Sequence, residues 1–186
     1  MRVLKSFERD PKTELVSRIF NEVITGPFHL PFEKIELHIR DRSISIVDGS
    51  SAIVCLDYNN PFILESDRRG IRILIIHELF RLMFKFDLPA EIEDILIGRE
   101  MIKRGYGEEL CYMYYSLLLS SRDLSAMKAN LPWIIFFRDD NITSELLKGI
   151  AAKVCRKKLP QRLLDMLLDL NEKNIAQASK DLVKVQ

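Results

Sequence analysis

Between Asp67 and Phe86 the chain is apolar on nearly every side of a helix. Ile71, Ile73, Leu74, Ile75, Ile76, Leu79, Phe80, Leu82, Met83 and Phe84 leave little polar surface, and the first breaker is Pro89. The run is too long for an ordinary strand, so it reads as one helix. A helix of this kind belongs at the centre of a fold, covered by other elements. Any polar side chain it carries goes inside with it and needs a partner there. His77 and Glu78 stand in its second half.

The flanking sequence supplies the cover. Asp10-Pro11 is a helix start, a capping residue followed by proline at the first helical position. Leu15, Ile19, Phe20 and Val23 follow at helical spacing, and Gly26-Pro27 ends the pattern. The period then shortens to two. Ile35, Leu37 and Ile39 alternate with Glu36, His38 and Arg40, and Ile44 and Ile46 alternate with Ser43, Ser45 and Val47. That is the signature of half-buried strands. Asp48-Gly49 is a turn and Ala52 to Leu56 a third strand, closed by a loop from Asp57 to Pro61. After the central helix come helices over about 91–104 and 108–119, an irregular stretch around Trp133 with Ile134 to Phe137, then helices over about 144–157 and 160–170. The polar tail from Asn171 carries a weak helical pattern that reads as frayed. The expected fold is therefore α+β: an N-terminal helix, a small mixed or antiparallel sheet of about three to four strands on the central helix, and a helical C-terminal part. The expected domains are a core over 1–125 and a helical extension over 126–186, packed on the same core.

Composition narrows the function classes. The chain has 186 residues and a formal net charge of +1, so it offers no electrostatic footprint for nucleic acid or an anionic membrane. The cluster from Lys153 to Lys158 reads as one charged helix face. Cys55, Cys111 and Cys155 are far apart and form no CxxC pair, which suggests neither a zinc knuckle nor a disulfide framework. Cys55 and Cys111 sit among apolar neighbours and read as buried small hydrophobes. No membrane span or signal peptide is expected, and a reducing cytoplasm is the expected location. Abundant Ile, Leu, Lys, Arg and Glu beside little Gln and Gly point to a thermophilic source.

The central helix holds His77-Glu78-Leu79-Phe80-Arg81. This resembles the HExxH motif of the zincin metallopeptidases, with arginine at the second histidine position. The order helix, strands, then a buried helix bearing His-Glu is also similar to the zincin order, over about 11–104. In such a motif two histidines four apart share a helix face and grip one zinc ion, while the glutamate polarises the zinc-bound water as general base. The resemblance thus implies His77 as a zinc ligand and Glu78 as the base. In gluzincin-type members a glutamate of a following helix supplies the third ligand, which here points to Glu91 or Glu93, with Asp94 beside them. Glu91 shares a helix face with Ile95 and Ile102, and Glu93 shares one with Leu96, Ile97 and Glu100. Asp87, six residues past Arg81, is a metzincin-style alternative, although Phe84 stands where that type has glycine.

Arg81 departs from the pattern. A guanidinium is permanently charged, offers donors only, and cannot ligate zinc. One turn from Glu78 it can instead pair with a carboxylate and fill the place of the metal. The expected cofactor is accordingly none, with zinc only if the site works.

Three functions follow: an incomplete, non-catalytic zincin-like protein that binds a peptide or protein partner, an atypical metal-dependent hydrolase using His77 and carboxylates, or an unrelated α/β interaction module. Zincins bind peptides by strand addition at a sheet edge, and the strand Ala52 to Leu56 is the expected edge. Ordinary structural roles compete at every residue. His77 reads equally as a hydrogen-bonded core histidine, and Glu78 with Arg81 as a plain ion pair. His38 faces away from the core, and His29 sits in a proline-flanked loop. Tyr112, Tyr114 and Tyr115 read as helix packing. Arg99 reads as a solvated residue within reach of the Glu91 region.

Overall fold

The computed structural model describes residues 10–26, 30–41, 45–84, 88–119 and 161–184. They fall into two compact units, Met1–Lys85 with Lys103–Met113, and Phe86–Ile102 with Tyr114–Gln186. The expectations for His29, Asp87, Cys155, the Lys153 to Lys158 cluster, Trp133, Ile134 to Phe137 and the helix over 144–157 lie outside the described residues.

The first unit is α+β. Helix α1 (Pro11–Ile24) begins where Asp10 accepts a hydrogen bond from the Lys12 amide, with proline at its first position. It buries Val16, Ile19, Phe20 and Val23. Strands β1 (Lys34–Arg40), β2 (Ile46–Asp48) and β3 (Ser51–Asp57) form a mixed sheet in the order β1-β3-β2. β3 runs parallel to β1 and antiparallel to β2. Between β2 and β3 the chain reverses at Gly49, whose φ of 57° lies in the left-handed region where glycine is favoured. One sheet face carries Ile35, Leu37, Ile39, Ala52, Val54 and Leu56, all buried.

This order corrects the expected edge. The strand Ala52 to Leu56 is the middle of the sheet, hydrogen-bonded on both sides, and among the described residues the edges are β1 and β2. The reason is topological. A tight turn after β2 makes β3 its antiparallel neighbour, and the parallel pairing with β1 then closes the other side of β3.

The loop expected after β3 contains a short helix, α2 (Pro61–Leu64), capped by Asn60. Helix α3 (Arg68–Met83) is the central one, capped by Asp67, and packs against α1 and β3. Every residue from Ile73 to Phe80 is buried. Gly70 lies against the Phe62 ring so closely that a Cβ there would fall 2.1 Å from a ring carbon. Helix α4 (Ala90–Lys103) leads to α5 (Gly107–Leu119), whose first turns belong to this unit. Tyr112 there donates to Asp67 at 2.6 Å, lies 6.2 Å from the Phe62 ring, and carries the Arg69 guanidinium over its face. Tyr112 is therefore a packing residue. Cys55 is buried, while Cys111 is half-buried, not the buried hydrophobe expected.

The second unit is helical. Ile92 and Ile95 of α4 join Leu163 and Leu167 of α6 (Gln161–Leu168), Leu170, and Ala178 and Leu182 of α7 (Ile175–Lys184) in one apolar cluster. The tail is thus a packed helix and not a frayed one: Ala178 and Leu182 are buried, and the half-buried Ile175, at three- and four-residue spacing with them, packs against the same cluster. Arg99 donates to the Leu170 carbonyl at 2.7 Å, two residues past the end of α6. Tyr114 is buried in this unit. Among the described residues no helix is long and apolar enough to cross a membrane.

Candidate functional site

Helix α3 carries His77 and Glu78 into the interior, where 5% and 2% of their surfaces remain exposed. A carboxylate so placed needs donors, and three side chains surround it. The Arg81 guanidinium, one helical turn on, donates from Nη1 to Glu78 Oε1 at 3.0 Å. The Ser45 hydroxyl, just ahead of β2, donates to Oε2 at 2.5 Å. His77 Nδ1 stands 3.9 Å from Oε1, too far for a direct hydrogen bond but close enough to act on the charge.

These neighbours decide the charge state of Glu78. Burial alone would push its carboxyl upward. The His77 imidazole, the Arg81 guanidinium and the Ser45 hydroxyl together outweigh burial and hold the carboxyl below its ordinary range. Glu78 is an ionised carboxylate with a charged or short hydrogen bond on each oxygen. A general base needs the reverse arrangement, a free oxygen and a pKa drawn up toward neutrality.

The donor set does not fit a zinc ion of the HExxH kind. Arg81 supplies no lone pair at the second histidine position and sets a positive charge beside the place a cation would take. Glu91 and Glu93 stand half-buried in the first turn of α4, in the second unit. Ile102, expected to share an inward face with Glu91, is 39% exposed at the far end of that helix. Among the described residues no three His, Cys, Asp or Glu side chains are grouped to hold a metal ion.

The structure therefore joins His77, Glu78 and Arg81, and adds Ser45, which sequence reading missed. Ser45 looked like one polar position in an alternating strand, and nothing local marks it as the partner of a residue on another element. His38 lies on the sheet face opposite the core and is held between Glu36 and Arg40 at 3.0 Å each. Ser45 immediately precedes β2, which is an edge of the sheet among the described residues. Comparison with protein-family models, with curated proteins and with solved structures returned no match.

Proposed function

We propose that this chain is a zincin-like protein whose hydrolytic site has been closed by an arginine, and that it acts by binding an extended peptide or protein segment along the β2 edge. The observation that carries this reading is the double engagement of Glu78, by Arg81 on one oxygen and Ser45 on the other. An arginine at the second histidine position, turned onto the motif glutamate, is what a retired metal site requires. It neutralises the carboxylate that the metal and its water would otherwise have matched. The element order, with α3 buried against the sheet, agrees with the same reading.

Strand addition needs a sheet edge, and among the described residues β2 pairs with β3 alone. Ile46, 46% exposed, would supply an apolar contact beside it. The experiment pairs two measurements on protein purified without chelator or metal columns. Elemental mass spectrometry should find no metal in the natural chain and about one zinc per chain in Arg81→His. A peptide array should then yield extended binders that an Ile46→Lys change weakens. Stoichiometric zinc in the natural chain would overturn the reading, and so would an Arg81→His chain that folds but takes up no metal.

A further inference from the structure

Helix α3 begins with exposed arginines that are held in different ways. Arg68 donates to both oxygens of Glu22, at 2.7 and 2.8 Å. The Arg69 guanidinium lies instead over the Tyr112 ring, 4.6 Å from its centre. Arg104, exposed in the turn before α5, repeats that arrangement at the other end of α3. Its guanidinium lies 5.2 Å from the centre of the Phe80 ring and 5.1 Å from that of Phe84. Among the described residues no carboxylate or other acceptor pairs with the guanidinium of Arg69, of Arg104, or of Arg72 one turn past Arg69. All of these residues belong to the first unit.

A ring face attracts a cation but accepts few of its hydrogen bonds, so the donors of Arg69 and Arg104 remain for a further partner. Both side chains are already held in place, which lowers the ordering entropy that a carboxylate binding them has to overcome. Arginine so anchored is a common centre of protein interfaces. The two are also placed together. Phe80 stands eleven residues beyond Arg69, three turns along the same face of α3 and roughly 16 Å away.

We infer that this face of the first unit docks an acidic peptide segment of a partner protein, with one carboxylate on Arg104 and another on Arg69 and Arg72. The charges favour a peptide over nucleic acid. Glu108 and Glu109 stand between Arg104 and Tyr112 in the chain, where a continuous phosphate backbone would be repelled. A peptide carries its carboxylates only where its sequence puts them. At about 3.3 Å per residue, an extended peptide spans the distance with two carboxylates five residues apart.

The full chain is titrated with end-blocked peptides of one length, otherwise neutral, that carry two glutamates two, five or eight residues apart. Binding is followed through the arginine Nε–H signals in NMR spectra. The five-residue spacing should bind tightest and move the Arg69 and Arg104 signals together. Arg69→Ala and Arg104→Ala should each weaken it about fivefold, the scale of one partly exposed charge pair. The signals of the natural chain need no variant, so the test survives a variant that fails to fold. Binding indifferent to spacing overturns the inference, as do arginine signals that stay still with every peptide. So does a short single-stranded DNA that takes the same arginines more tightly than the best peptide, or a dimer of this chain that Arg104→Ala abolishes. None of these residues lies on β2, so the outcome is independent of the proposed peptide site.

Discussion

The Ser45 hydroxyl and the Glu78 carboxylate meet at 2.5 Å across 33 residues of chain. This contact ties the start of the β2 edge strand to the central helix. It occupies the one carboxylate oxygen that Arg81 leaves, so the edge strand and the charge cluster become one structural unit.

Removing the guanidinium should expose what that cluster costs to keep. Arg81→Leu leaves a buried carboxylate without its cation, and such losses run about 3–5 kcal/mol. Urea unfolding should show a loss of that order. Glu78→Leu/Arg81→Leu should recover a large part of it, because a buried ion pair can be replaced by apolar packing at little net cost. A double variant no more stable than Arg81→Leu would mean the charge pair is not the source.

Acid should act through Glu78. Its carboxyl titrates lower in the folded chain than the ordinary 4.5. The group therefore adds stability that is present above the unfolded pKa and is lost as pH falls through the folded one. The stability difference between the natural chain and Glu78→Gln should be flat from neutral pH down to about 4.5 and shrink below it. A difference that instead grows toward acid would mean burial, not the neighbours, governs the group.

Ser45→Ala removes a hydrogen bond to a charged acceptor, a contact worth about 1.5–3 kcal/mol when neither side is compensated. Arg81 remains in place, so the expected loss is near the lower end. Amide exchange at Ile46 and Val47 should quicken, since the strand loses its tie to α3. Unchanged exchange there would show that the turn at Gly49 holds β2 without Ser45.

Gly70→Ala should destabilise by overpacking, by about 1–3 kcal/mol, because the new Cβ would meet the Phe62 ring at 2.1 Å. Phe62→Leu in the same chain should relieve part of that strain. Thermal unfolding of the two single variants and the double tests for this coupling, and simple additivity would rule it out.

The α+β class, the order of the elements and the burial of α3 were legible in the sequence, because they rest on periodicity and capping. Asp10-Pro11, the alternation through Ile35, Leu37 and Ile39, and the mostly apolar stretch from Ile71 to Phe84 are local signals. The likelihood of contact between Glu78 and Arg81 was legible too, since residues three apart share a helix face. The strand order was not, because local alternation says which face of a strand is buried and nothing about which neighbours it pairs with. That is why β3 looked like an edge and is the centre. Nor could spacing reveal Ser45 as the partner of Glu78, or the stripe of α7 as a packed one. Both depend on which elements the fold brings together. Secondary structure was written in neighbouring residues, while the pairings that define the site were decided by the tertiary structure, through the burial of a carboxylate that had to find its donors.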